Sequence, residues 1–268
     1  MSFCDGTAMD IEHRAPNNVI KVAVSGSSMD LHVFGAEHGD RVIAVVILMF
    51  PRSGMDGFPQ RIAETLASNR CVVIIPDITH RISSAIPVRD RKRLLTDEGI
   101  IEDIGAALSY MDSTEFGLKP RFIIGHCMGG RNALLGASAF RFDGAASFYG
   151  GELFDAWGGA EPPFTRLHKI RCPILAFFGG KDKNPSPEHM ALIDEELSRA
   201  GVEHRFFTYE DVGHAFLQNA DRSLDERRAA DDSSNKLISF FRELSERQLR
   251  YPDADLEDQL NNPKREMK

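Results

Sequence analysis

The sequence predicts a single α/β domain, a mostly parallel, doubly wound sheet with flanking helices. Three observations carry that prediction. Several runs of strand length are apolar throughout, as in strands buried on both faces of a parallel sheet; Val42 to Phe50 is the longest. Stretches with helical spacing separate these runs, the alternation that parallel crossovers require. Phe122 to Ile124 meets a glycine-bracketed turn, Gly125-His126-Cys127-Met128-Gly129-Gly130, and then an Ala/Leu-rich helical segment.

Taken in order, residues 1 to 18 are polar and mixed and read as a loose N-terminal arm. Ile20 to Val24 and Leu31 to Phe34 flank Ser25-Gly26-Ser27-Ser28 and read as a hairpin. After the strand Val42 to Phe50 comes a loop, Pro51 to Phe58, and a helix from Gln60 to Ser68. Cys71 to Ile75 is a buried strand stopped by Pro76-Asp77. The polar segment Ile78 to Thr96, with Arg81, Arg89, Arg91, Lys92 and Arg93, is read as a cap or lid over the strand ends. Arg89 to Arg93 is taken as its solvated face. Glu98 to Met111 has helical spacing through Ile101, Ile104, Ala107, Leu108 and Met111. Ala145 to Tyr149, Pro173 to Phe178 and His204 to Tyr209 are the later strands. Helices follow over Pro187 to Ala200 and from Ser223 or Asp225 to Leu244. The domain is expected to span residues 19–245, with 246–268 a frayed polar tail.

Bulk properties remove several classes. The 268 residues can bury one large core, and 42% hydrophobic with 27% charged content is that of an ordinary soluble globule. A net charge of -8 lacks the basic face that a nucleic-acid partner needs. Cys4, Cys71, Cys127 and Cys172 are widely spaced, with no C-x-x-C pair, so neither a zinc site nor a disulfide framework is expected. No apolar signal region opens the chain, and the longest apolar run, nine residues, falls short of the roughly 18 needed to span a membrane. The chain is read as cytoplasmic, without membrane or nucleic-acid partner, a monomer or weak homo-oligomer.

Gly125-x-Cys127-x-Gly129 has the spacing of a nucleophile elbow, in which a strained strand-to-helix turn lifts the central side chain above the sheet. The flanking positions must be glycine because a Cβ there meets the neighbouring strand and helix. The backbone N–H of Met128 then lies at a helix N-terminus, placed to stabilise an oxyanion. Cys127, Asp182 and His214 each follow a predicted strand, where ligands gather in such sheets, and are separated by 55 and 32 residues. In this order Cys127 is the candidate nucleophile, His214 the base that takes its proton, and Asp182 the acid that fixes the imidazole tautomer. The chemistry is hydrolysis through a thioester acyl-enzyme. Asp211 is the alternative acid, being close to His214 in sequence. His126 and Met128 are expected to serve by backbone rather than by side chain, and Cys71 and Cys172 to be core or strand-edge thiols.

Gly125-His126-Cys127-Met128-Gly129-Gly130, Gly180-Lys181-Asp182 and Gly213-His214-Ala215-Phe216, with Pro76-Asp77 after a buried strand, resemble the dienelactone hydrolase family over residues 30–245. The resemblance implies the α/β-hydrolase fold and a cysteine hydrolase acting on a small ester or lactone, without metal or organic cofactor. It also implies the backbone N–H of Arg52 as a second oxyanion donor and Arg81 as a substrate-carboxylate anchor. The family's second anchoring arginine falls at Gln218 or Asn219, and its glutamate beside the resting thiol falls at Pro51. Without that carboxylate, His214 alone is expected to set the state of Cys127, giving a thiolate–imidazolium pair before substrate arrives, unless Asp56 or Glu98 folds back beside it. Two readings compete with hydrolysis: a ligand-binding sensor on the same fold with poor turnover, and a redox-sensing thiol protein.

Overall fold

The structure, a computed structural model, describes residues 18–159, 161–219 and 221–250. The predicted arm therefore lies outside the described residues except Asn18, which already belongs to the first strand, β1 (Asn18–Val24). β1 turns at Ser25 and Gly26 (φ 43° and 81°) into β2 (Ser27–Phe34), the backbone twist that a tight two-residue hairpin requires. Six further strands follow: β3 (Ala44–Met49), β4 (Cys71–Pro76), β5 (Arg121–His126), β6 (Gly144–Phe148), β7 (Ile174–Gly179) and β8 (His204–Tyr209). They form one sheet in the order β1-β2-β4-β3-β5-β6-β7-β8, with β1–β2 and β2–β4 antiparallel and every other pair parallel.

Chain reversal in the sheet order occurs at β3, which pairs with β4 on one side and β5 on the other. Loops leaving β3 and β5 therefore diverge there, opening a crevice at the carboxyl ends of the strands. β3, β4 and β7 are buried at every residue, which is why their sequences show no alternation.

The helices are α1 (Gly57–Ser68), α2 (Val88–Arg91), α3 (Asp97–Asp112), α4 (Met128–Ala139), α5 (Pro187–Arg199) and α6 (Leu224–Arg250). Three of them start at a capping side chain: Asp56 accepts from Phe58 N–H at α1, Thr96 from Gly99 N–H at α3 and Ser186 from His189 N–H at α5. Alternation along β5 divides them between the faces. A Cβ on Gly136 of α4 would meet both Ile123 and Ile104 of α3, so α3 and α4 share the Ile123 face. Phe122 points the other way and stacks on Phe241 of α6 at 4.3 Å, with Phe240 at 6.3 Å.

Two expectations need correction. α6 does not end at Leu244: it continues to Arg250, because Arg247 pairs with Glu243 one turn back and with Glu203 before β8. The rest of the predicted tail lies outside the described residues. The segment Ile78 to Thr96 does lie over the strand ends, but as tight turns, the single-turn α2 and a 3-10 turn at Lys92–Leu94. Its solvated face is confined to part of the basic run: Arg89 is exposed, whereas Arg91 and Lys92 are half-buried and turned inward.

Candidate active site

The turn between β5 and α4 holds Cys127 at φ 55°, a left-handed conformation that a side chain adopts only under constraint. The constraint is crowding. A Cβ on Gly125 would lie 2.0 Å from the Gly129 carbonyl oxygen, and one on Gly129 would lie 2.0 Å from the Met49 carbonyl oxygen at the end of β3. This contact sets the loop Phe50-Pro51-Arg52 against the first turn of α4. Met128 N–H, the first of that helix, is among the donors that a helix leaves without an internal partner.

Cys127 Sγ is 3.0 Å from His214 Nε2, and His214 Nδ1 is 2.7 Å from Asp182 Oδ2. The remaining oxygen of Asp182, Oδ1, accepts from Asn184 N–H at 2.9 Å. The loops that bring acid and base together are themselves tied, Lys181 N–H donating to the Val212 carbonyl at 3.0 Å. Burial opposes a charge on His214, but the hydrogen bonds and charges of Asp182 and Cys127 outweigh it and raise its pKa to about 10. The arrangement thus holds a protonated imidazole against the sulfur. Asp211, the alternative acid, is exposed and pairs with Lys181.

A cavity of about 120 Å³ lies at the crevice, with Phe50, Arg52 and Met128 at its base and Val88, Lys92 and Leu95 of the cap above. Both predicted oxyanion residues therefore border it. Arg81 does not line it. Its guanidinium is forked instead onto α3, Nη1 to Asp103 Oδ1 at 2.7 Å and Nη2 to Glu102 Oε2 at 2.9 Å, so the expected substrate anchor is committed to two carboxylates of the protein. At the second expected anchor position Gln218 is neutral, its side chain turned to the buried Tyr149 phenol, and Asn219 donates to Glu226. Of the carboxylates considered as replacements at Pro51, Asp56 caps α1 and Glu98 reaches toward Arg166 at 4.0 Å.

His126 supplies backbone to the elbow and an apolar plate beneath it. Its ring stacks on Phe148 at 4.5 Å and meets the edge of Phe58 at 5.0 Å, and burial lowers its pKa to about 3, so it stays neutral. Among the described residues no three His, Cys, Asp or Glu side chains converge as metal ligands do.

Sequence reasoning missed Tyr149 and the loop after it. Tyr149 is fully buried at φ 41°, its ring edge-on to His214 at 5.2 Å. Burial, and then the nearby Cys127 charge, push its phenol pKa up, so it remains neutral. The one available signal was Tyr149-Gly150-Gly151 closing a buried strand. A Cβ on Gly150 would lie 2.4 Å from Ser147 Oγ, which makes that strand end as crowded as the elbow.

Comparison with known proteins bears on the family and the fold. A carboxymethylenebutenolidase of Rhodococcus opacus is 30% identical over 208 residues, covering 73% of this chain and 79% of the relative. One from Pseudomonas putida is 24% identical over 211 residues, 74% and 86% of the two chains. Among solved structures, a dienelactone hydrolase-like promiscuous phosphotriesterase from metagenomic libraries superposes with a TM-score of 0.71 at 16% identity, covering 86% of this chain and 99% of the other. That likeness is one of fold, the α/β-hydrolase fold. Among the described residues no helix is long and apolar enough to cross a membrane. A model of the Dienelactone hydrolase family matches residues 32–245, from within β2 through the Cys127 elbow, Asp182 and His214 into α6, and the chain belongs to that family.

Proposed function

We propose that the protein hydrolyses small esters or lactones with Cys127 as nucleophile, His214 as base and acid, and Asp182 as the residue that orients the imidazole. The observation that carries this is the hydrogen-bonded line Cys127 Sγ–His214–Asp182, at 3.0 and 2.7 Å, on a strained turn at the sheet's crevice. Sulfur attacks the substrate carbonyl, and the oxygen that gains charge is met by Met128 N–H and Arg52 N–H. Collapse of the tetrahedral adduct expels the alkoxide, which takes its proton from the His214 imidazolium, and leaves a thioester on Cys127. Neutral His214 then draws a proton from water, the hydroxide attacks the thioester, and the thiolate leaves. A thiolate leaves more readily than an alkoxide, which suits this second half, since departure needs no prior protonation.

The cavity adjoins the reaction centre through Met128, with Cys127 and His214 outside its wall, and its size suits a small acyl group. Hydrolase activity is further supported by the relatives, which are named carboxymethylenebutenolidases. The commitment of Arg81 to Glu102 and Asp103 argues for substrates that do not depend on a carboxylate contact at that position. The test is a panel of p-nitrophenyl esters, simple lactones and dienelactone, assayed with the wild-type protein and Cys127→Ala. Cys127→Ala is expected to lose at least about 10³-fold in turnover with its fold intact. Hydrolysis unaffected by the substitution would overturn the reading, and a burst of leaving group without turnover would favour the ligand sensor.

A further inference from the structure

Glu152, two residues beyond the Gly150 contact, is held at every polar group it has. Its N–H donates to Asn184 Oδ1 at 3.0 Å, and its carbonyl accepts from Arg131 Nε at 3.0 Å. Its carboxylate pairs with the Lys92 ammonium. The backbone at Glu152 is left-handed, φ 57°, a conformation that a non-glycine residue keeps only when its surroundings fix it.

These contacts join two places that the sequence separates. Lys92 belongs to the cap and forms part of the cavity wall. Asn184, at the other end, gives its own N–H to Asp182 Oδ1 at 2.9 Å, and Asp182 holds His214 by its second oxygen at 2.7 Å. A continuous series of polar contacts therefore runs from the cavity wall to the acid: Lys92, Glu152, Asn184, Asp182, His214 and Cys127.

We propose that Lys92, Glu152 and Asn184 are positioning residues through which the cap over the cavity sets the orientation of Asp182, and with it the readiness of Cys127. The inference rests on the Cys127–His214–Asp182 reading above. Asp182 has two oxygens, and an acid gripped at only one is free to swing about the Cβ–Cγ bond. Asn184 grips the second. Glu152 fixes the Asn184 amide by donating its N–H to the side-chain carbonyl oxygen, and Lys92 fixes Glu152. When the Lys92 contact is lost, Asp182 holds the His214 ring less firmly, and the ring no longer faces the sulfur in the geometry that draws its proton. A lid that is packed correctly over its cavity and a nucleophile that is ready thus become one condition.

The test reads Cys127 directly, without substrate. Alkylation of Cys127 by iodoacetamide is followed by mass spectrometry between about pH 6 and 8.5, a range in which thiolate content governs the rate. Lys92→Met, which keeps the bulk of the side chain and removes its charge, should slow alkylation at pH 6 by threefold or more, a size typical of coupled neighbours. Lys92→Arg should restore the wild-type profile. Adding Lys92→Met to Glu152→Gln should change nothing further, because the contact is already gone. A folded Lys92→Met protein, judged by its melting temperature, that alkylates with the wild-type pH profile overturns the proposal. So do effects of Lys92→Met and Glu152→Gln that simply multiply. If Lys92→Met melts early, Glu152→Gln alone, which keeps the shape and both backbone contacts, reads the same coupling from its other end. The two readings fail separately: hydrolysis that survives Cys127→Ala removes the cysteine mechanism, whereas Cys127-dependent hydrolysis with an unmoved Lys92→Met profile removes only the coupling.

Discussion

Arg131 forks its guanidinium onto Asp97, Nη1 to Oδ1 at 2.6 Å and Nη2 to Oδ2 at 3.2 Å, and both side chains are almost wholly shut off from solvent. The same guanidinium donates to the carbonyls of Glu152 and Asp155 and lies over the Trp157 ring at 3.7 Å, so the charge is met on every side. Removing one partner of such a pair strands a buried charge, at a cost of about 3–5 kcal/mol. Asp97→Ala is therefore expected to lower the melting temperature by about 6–20 °C, since a domain of this size shifts by about 2–4 °C per kcal/mol. Calorimetry checks this; a change of a degree or two would mean that the pair is weak.

Asp182 and Asp211 are separated by their surroundings. Asp182 is buried and bonded to His214, whereas Asp211 is exposed and meets Lys181 at 3.3 Å. Asp182→Asn favours the wrong imidazole tautomer and should lower turnover by orders of magnitude, and Asp211→Asn should leave it within about twofold. Steady-state kinetics on one good ester substrate ranks the two, and the reverse ranking would move the acid to Asp211.

The raised pKa of His214 has a stability consequence with a definite sign. Its folded value, about 10, exceeds the roughly 6.5 of an unfolded histidine, so the folded state retains a proton that the unfolded state releases. The contribution is present in full below about pH 6.5 and is lost as pH rises through about 10. Urea unfolding at pH 7 and pH 10 should show a larger loss of stability for the wild-type protein than for His214→Gln. Imidazole NMR should find His214 still protonated at pH 8 in the wild type, and less so in Asp182→Asn or Cys127→Ala. An imidazole that titrates near 6.5 in the folded protein would refute the ion-paired resting state.

Thiol reactivity should sort by environment. Burial pushes Cys71 and Cys172 up to about 12, leaving both as inert thiols, while Cys127 sits half-buried against an imidazole. Iodoacetamide at pH 7 is expected to modify Cys127 at least about tenfold faster than the other two. A Cys4→Ser background keeps the N-terminal thiol out of the measurement. Equal rates at all three positions would deny Cys127 any special activation.

The strands and the line Cys127–His214–Asp182 were legible because each depends on a local signal. Val42 to Phe50 is apolar throughout because β3 is covered on both faces, and each of the three polar residues follows a strand end, where the topology leaves them adjacent. The elbow glycines were legible for the same reason, since the space they lack is a property of the turn. Arg81 was not legible in this way. Its partners, Glu102 and Asp103, lie 21 and 22 residues away on α3, and no local pattern says which of two distant groups a flexible cation will meet. Lys92, Glu152 and Asn184 were missed on similar grounds: a charged turn, a residue after two glycines and an amide before a proline look like surface until the loops are assembled. The end of α6 was drawn too early because polarity after Leu244 resembles fraying, whereas a solvent-facing helix is polar by nature and is secured here by Arg247.

At the elbow, the backbone fixes position and leaves chemical identity to one side chain. The absence of room at Gly125 and Gly129 binds the turn to β3 and α4 whatever atom stands at the tip of residue 127. A thiol there, a hydroxyl or a selenol would occupy the same point above the same N–H donors, so the type of covalent intermediate can be exchanged by a single substitution without the fold being solved anew. Cys127→Ser tests the reach of that modularity: without the sulfur, His214 loses part of what raises its pKa and is left freer to take the hydroxyl proton. A methyl group at residue 129 acts in the opposite sense: it meets the Met49 carbonyl and removes the platform on which any of those chemistries would stand.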